Sequence, residues 1–233
     1  AMIGKILMDA KLDPTIIVGS LLKDSKSNFV AGKGGYFVVE ACEYKKSFLE
    51  INPKIIVITN IDNDHLDYYK NLNNIKKAFA EFVSKLPEGG YLICDPNDKN
   101  LKEVIKKTKA KIIDYTKIIA GFNLKIPGQH NIKNAKAALA VAEILNINKK
   151  ETLKSLNGFS GAWRRFEYKG KTKKGVLIFD DYGHHPTEIK ATLQGARELY
   201  PKNKIIVVFQ PHLYSRTKLL LSDFGKSFSD ADE

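Results

Sequence analysis

Cysteine is nearly missing from this chain: Cys42 and Cys94 are the only two in 233 residues, and neither belongs to a Cys-x-x-Cys pair. A disulfide framework or a cysteine-built zinc site therefore has no support, and the cytoplasm is the expected compartment. No apolar run approaches the roughly 18 residues of a membrane-spanning helix, so no membrane partner is expected. The opening Ala1-Met2-Ile3-Gly4-Lys5-Ile6-Leu7-Met8 is too short an apolar stretch for a secretory signal and lacks its small-residue cleavage site; it reads as amphipathic helix. Arginine is scarce as well. Only Arg164, Arg165, Arg197 and Arg216 accompany the many lysines behind the net charge of +12. Those lysines are spread through helices and turns as solvated faces, without a nucleic-acid motif, so no nucleic-acid partner is expected. The excess positive charge suits nucleotide and sugar-nucleotide anions instead.

What the chain does have is a globular composition, 43% hydrophobic and 27% charged, and enough length for a sizeable core. Strand-like and helix-like patterns alternate, which predicts an α/β fold with a mostly parallel sheet covered by helices. Strands are expected near residues 15–18, 36–41, 55–59, 91–94, 111–115, 166–168, 176–180 and 204–209. Helices are expected near 3–10, 74–86, 101–107, 131–145, 152–156, 186–200 and 218–228. Asn157-Gly158-Phe159-Ser160-Gly161 reads as a linker, dividing the chain into domains 1–161 and 162–233.

The densest chemistry follows the apolar run Val176–Phe179: Asp180-Asp181-Tyr182-Gly183-His184-His185-Pro186-Thr187-Glu188. Pro186 suits the first turn of a helix, but two acids, a phenol and two imidazoles at a strand exit, where open α/β sheets place ligands, point to an anion-binding loop. Glu40 ends another apolar strand, where a carboxylate can hold a hard cation. His65 follows the next strand in Asn60-Ile61-Asp62-Asn63-Asp64-His65 and reads equally as a loop histidine. Asn131 and Asn134 lie one helical turn apart, with amides suited either to a purine edge or to helix capping.

Five segments in order together resemble the Mur ligases, in their alanine-adding branch. Besides Asp180–Glu188, they are Glu40-Ala41-Cys42-Glu43 with Ser47-Phe48, Thr59-Asn60 through Asp64-His65-Leu66-Asp67, Gly128-Gln129-His130-Asn131 with Asn134, and Phe209-Gln210-Pro211-His212 with Ser215-Arg216-Thr217. The resemblance implies the central ATP-binding domain of that family followed by a truncated Rossmann-like C-terminal domain. It implies ATP and Mg2+ as cofactors and UDP-N-acetylmuramate and L-alanine as substrates, while leaving the oligomeric state unknown. In such enzymes ATP phosphorylates the substrate carboxylate and the amine displaces phosphate to leave an amide. By the same resemblance, Glu40 and His65 hold the metal. His130, Asn131, Asn134, Arg165 and Asp181 serve the nucleotide, and Tyr182, His184 and Arg216 serve the amino acid.

Two departures matter. Leu213 stands where some relatives carry Arg, removing one cation from the acceptor site. The phosphate loop ending in Gly-Lys-Ser/Thr is also absent: in Ala31-Gly32-Lys33-Gly34-Gly35 a glycine follows the lysine. The expectation is therefore a ligase fragment that is inactive alone. The alternatives are the branch that attaches a preformed tripeptide to UDP-N-acetylmuramate and a non-catalytic nucleotide-binding module.

Overall fold

The computed structural model describes all 233 residues. In chain order the elements are α1 (Met2–Asp9), β1 (Thr15–Leu22), β2 (Ser27–Val30), β3 (Phe37–Val39), β4 (Ile55–Val57), α2 (Leu66–Tyr69), α3 (Leu72–Ser84), β5 (Tyr91–Cys94), β6 (Lys111–Asp114), α4 (Gln129–Ile144), α5 (Lys149–Gly158), β7 (Glu167–Lys171), β8 (Leu177–Asp180), α6 (Pro186–Leu199), α7 (Tyr214–Leu219) and α8 (Leu221–Gly225). Short 3₁₀ turns occupy Tyr44–Glu50, Ile105–Lys107 and Tyr115–Lys117. The chain is mixed α/β and gathers into two compact units. One comprises Ala1–Val39, Phe122–Ile132 and Leu153–Glu233, the other Glu40–Gly121 and Lys133–Thr152.

The second unit is built on a parallel sheet in the order β4-β5-β6. Central β5 carries Leu92, Ile93 and Cys94, all fully buried, as a strand covered on both faces must be. Burial, reinforced by the Asp114 charge, pushes the Cys94 thiol up to about 12, which makes it an inert core residue. Helix α3 turns Ile75, Ala78, Phe82 and Val83 into the same core. Asn71 caps it by accepting a 3.0 Å hydrogen bond from the Asn74 amide, satisfying one of the orphan donors of the first turn.

The first unit contains a mixed sheet, β2-β1-β3, and a two-stranded β7-β8 hairpin. Helix α1 lies against β1 so closely that a Cβ on Gly4 would stand 2.7 Å from Ile16 Cδ1. The glycines of the 31–35 segment have a similar structural cause. A Cβ at Gly32 would come within 2.1 Å of the Asp13 carbonyl oxygen and one at Gly34 within 1.9 Å of that of Leu12, while the Lys33 amide bonds to Asp13 Oδ2 at 2.9 Å. This segment is a strap over the Leu12–Pro14 backbone.

Several local expectations are corrected. The expected parallel pairing holds in β1–β3, β4–β5 and β5–β6, while the β1–β2 and β7–β8 pairs are antiparallel, because parallel neighbours need a crossover of about a dozen residues or more and these connections are tight turns. Strand β2 itself was not anticipated. Residues 204–209 form no sheet strand: Val207 donates to the Glu233 carbonyl and Glu233 to that of Ile205, and Ile206 and Val208 remain exposed. The helix expected over 218–228 is broken at Leu220 (φ −112°, ψ 21°), which ends α7 and starts α8. Only a single 3₁₀ turn, Ile105–Lys107, appears within 101–107, and α5 runs through Gly158, absorbing the start of the expected linker.

Candidate functional site

In the first unit, β8 delivers Asp180 and Asp181 to its exit, and α6 begins six residues later at Pro186. The Asp180 carboxylate receives Arg164 Nε at 3.3 and 3.1 Å on its two oxygens. Asp181 organises the loop: Oδ1 accepts from the Gly183 amide and Oδ2 from the Phe166 amide, each at 2.7 Å. The Tyr182 amide donates to the Arg164 carbonyl at 2.7 Å. This stitches the loop to the Trp163–Phe166 turn, in which Arg164 (φ 54°) and Phe166 (φ 46°) adopt left-handed backbone. The guanidinium groups of Arg164 and Arg165 stand 5.1 and 6.0 Å from the Tyr182 ring centre, within reach of its negative face.

His184 and His185 have different tasks. His184 Nδ1 lies 3.0 Å from the Tyr182 carbonyl oxygen. That oxygen can only accept, so Nδ1 carries the proton and Nε2 offers its lone pair. His185 is buried and caps α6, its Nδ1 accepting from the Thr187 amide at 3.3 Å. Glu188, three residues past the cap, completes a capping box. Its Oε2 accepts from the amides of His184 and His185 at 3.0 and 3.3 Å, and its Oε1 lies 3.4 Å from Arg165 Nη1.

Burial alone would raise the Glu188 carboxyl. The His184 amide, the charges of His184 and Arg165 and the His185 amide outweigh it and hold the group below its ordinary 4.5. A carboxyl depressed in the folded state stabilises the fold above its unfolded value, and that contribution is lost as pH falls through the folded value. Thermal melting of Glu188→Gln against the parent should therefore show a gap that is constant above about pH 5 and narrows below pH 4.5. A gap independent of pH would contradict this.

At the start of α4, Asn131 Nδ2 donates to the Pro127 carbonyl at 2.7 Å and meets His130 Nε2 at 3.0 Å. His130 Nε2 is then the acceptor, and the ring proton sits on Nδ1, a buried atom with no partner in the protein. Burial lowers the His130 pKa, with Asp181 and Arg165 acting in opposite senses, so the ring is neutral at pH 7. Gly128 (φ +96°) makes room for it, since a Cβ there would lie 2.7 Å from His130 Cε1. An unmatched buried donor is costly unless something accepts from it. Asn134 lies one turn further along α4. Arg216, on α7, is buried and reaches the His212 carbonyl at 3.5 Å; the His212 ring lies 6.5 Å from that of His184.

The second unit holds a separate cluster. His65 Nε2 lies 3.3 Å from Glu43 Oε1 and 3.9 Å from Asp64 Oδ2, and one ligand atom from each of the three falls within 4.8 Å of the others. The cluster is held in place locally. The His65 amide donates to Asp64 Oδ1 at 2.7 Å, the Tyr44 ring packs tilted against the imidazole with centroids 4.8 Å apart, and the Tyr69 hydroxyl donates to the Glu43 carbonyl. Two carboxylates and an imidazole this close suit a divalent cation that keeps part of its water shell. Glu40, just past β3, is not one of the three.

The structure thus brings Arg165, Asp181, Tyr182 and His184 into one network and sets His130 among the charges of Asp181 and Arg165. It gathers His65 with Glu43 and Asp64. Sequence reasoning gave no part to Glu43, Asp64, Glu188 or His212. The capping-box spacing from His185 to Glu188 was a usable signal for Glu188; Asp64 adjoined a candidate but carried no pattern of its own.

Residues 21–118 match the Mur ligase middle domain and residues 164–233 the Mur ligase glutamate ligase domain. The UDP-N-acetylmuramate–L-alanine ligase of Clostridium acetobutylicum is 44% identical over 260 aligned positions, covering 100% of this chain and 56% of the relative. Among solved structures, the UDP-N-acetylmuramate-alanine ligase of Thermotoga maritima superposes with a TM-score of 0.80 at 26% identity, covering 100% of this chain and 56% of that one. A murein peptide ligase from Psychrobacter arcticus shares the fold, with a TM-score of 0.68 at 22% identity and coverage of 100% and 59%. The chain therefore spans a little over half the length of the relatives it matches, and it belongs to the Mur ligase family, of which it carries the middle and glutamate ligase domains.

Proposed function

We propose that this chain is the middle and C-terminal portion of an ATP- and Mg2+-dependent ligase that joins L-alanine to UDP-N-acetylmuramate in the cytoplasm, with the domain boundary at residues 161/162. The observation that carries this reading is the network at the exit of β8. One loop and one helix start gather Asp181, Tyr182, His184 and Glu188, with Arg165 paired to Glu188, and buried Arg216 reaches the His212 carbonyl. The 44% identical relative that bears this activity in its name supports the choice of substrate. Both cysteines are free thiols, in keeping with a reducing compartment.

ATP, when bound, supplies the phosphoryl group that activates a carboxylate, and Mg2+ offsets the charge on that group. Glu40 and His65 are the proposed cation ligands, with Glu43 and Asp64 beside His65. Arg165 orients a phosphate by charge-assisted hydrogen bonds. Each Asp181 oxygen accepts one amide N–H and keeps a lone pair for a ribose hydroxyl. His130, Asn131 through its Oδ1 and the Asn134 amide are the proposed contacts of the base. Arg216 holds the acceptor's carboxylate, and the His184 Nε2 lone pair accepts a hydrogen from its amine. Tyr182, flanked by two arginines, closes one side of the acceptor site. With Leu213 half-exposed, no second guanidinium assists from that position.

The test is phosphate release with ATP, UDP-N-acetylmuramate and L-alanine, comparing this chain with the same chain extended to the length of its relatives so as to restore a phosphate loop. Activity in the extended protein alone is the expected result; alanine-dependent turnover by the 233-residue chain would contradict the need for that loop. Preference for a tripeptide over free alanine would move the assignment to the branch represented by murein peptide ligases. Nucleotide binding without turnover in the extended protein would favour a non-catalytic module.

A further inference from the structure

Glu188 has been assigned to neither substrate, yet it bonds to a residue on each side. A capping box needs one carboxylate oxygen, and Oε2 fills that need through the amides of His184 and His185. Oε1 is turned instead to Arg165 Nη1 at 3.4 Å, across 23 residues of sequence. Oε2 also lies 3.6 Å from His184 Nδ1. The carboxylate thus acts beside the Tyr182 carbonyl to favour the proton on Nδ1, which keeps the Nε2 lone pair outward. The carboxylate is one-third exposed, so its charge is only partly screened by solvent.

From this we infer that Glu188 is a positioning residue that couples the nucleotide site to the acceptor amino-acid site. The inference rests on the proposed roles of Arg165 at the phosphates and His184 at the acceptor amine. A phosphate competing for the Arg165 guanidinium changes the charge that Glu188 presents to His184, and the orientation of His184 changes in turn. Coupling of this kind is reciprocal: nucleotide tightens the acceptor by the same factor by which the acceptor tightens nucleotide. A residue that serves only as a helix cap would change stability and leave that factor alone.

The experiment uses the chain extended to the length of its relatives. Calorimetry gives the Kd of a non-hydrolysable ATP analogue with and without saturating L-alanine, for the parent and for Glu188→Gln, which retains an acceptor oxygen for the two amides. In the parent, alanine should tighten the nucleotide about fivefold or more, at the lower end of ordinary site-to-site coupling. In Glu188→Gln that ratio should fall to about one, while nucleotide still binds. In parallel, ¹⁵N shifts of the His184 ring should report the Nδ1–H form in the parent and a mixture of tautomers in the variant. A folded Glu188→Gln protein with the parent's coupling ratio and tautomer overturns the inference. So does a parent that binds nucleotide with no response to alanine, and in that case the nucleotide reading survives. A folded parent that binds no nucleotide overturns the site assignment itself and this inference with it.

Discussion

On the proposed ligase reading, His65→Ala in the extended protein should lower kcat/KM for ATP by about 10²- to 10³-fold, the usual loss when one electrostatic support of a transferring phosphoryl group is removed. The imidazole is well placed for so large an effect. It sits on left-handed backbone (φ 52°) at the start of α2, its amide is tied to Asp64, and its ring packs at a tilt against Tyr44. Its Nε2 is turned to the Glu43 carboxylate, so a cation arriving there meets a ligand already aimed rather than one that must be ordered on binding. Removal leaves Glu43 and Asp64 facing each other without the group between them, which weakens cation binding as well as turnover. Mn2+ titration by electron paramagnetic resonance, run alongside the kinetics, should show both losses. A loss below about threefold in both would mean that His65 is a loop histidine and that the cation is held elsewhere.

How much of this was legible before the structure depends on whether a feature is local. The loop Asp180–Glu188 was readable because its chemistry is contiguous: an apolar strand, then acids, phenol, imidazoles, then Pro186 to start a helix. Helix α3 and strand β5 were readable from periodicity and from an unbroken apolar run. Pairing was less so. Whether β7 and β8 lie parallel is fixed by a tight turn whose Gly175 takes φ +88°, and residues 204–209 have a strand's composition without a strand's neighbours, a fact no local pattern contains. The charge partners were the least visible. Glu43 meets His65 across 22 residues and Glu188 meets Arg165 across 23, and one sequence gives no reason to prefer those acids over the others. The glycine-rich strap at 31–35 shows the converse. Its composition suggests a phosphate cradle, while its backbone is spent on Leu12–Pro14.

Phe48→Ala should cost about 3–5 kcal/mol of stability, the range for deleting a buried aromatic side chain. Phe48 is 1% exposed, stacked on Phe82 at 4.5 Å and edge-on to Phe79 at 5.2 Å, both rings on α3. The cavity would open under the 3₁₀ turn Tyr44–Glu50, whose path is pinned by the Phe48 amide donating to the Cys42 carbonyl at 2.8 Å. Glu43 lies inside that hydrogen-bonded loop. A core substitution more than a side chain away from the cation cluster should therefore weaken Mn2+ binding too, by freeing Glu43 from the position that pairs it with His65. Phe48→Leu, which keeps much of the apolar volume but not the ring contacts, should recover part of both losses, since the cost of a core truncation grows with the cavity it leaves. Denaturant unfolding and Mn2+ titration of the two variants separate the alternatives. Parallel loss and recovery ties the aromatic core to the cation cluster, whereas destabilisation with unchanged Mn2+ affinity would show that Glu43 is held by the Tyr69 hydroxyl and its own turn without help from Phe48.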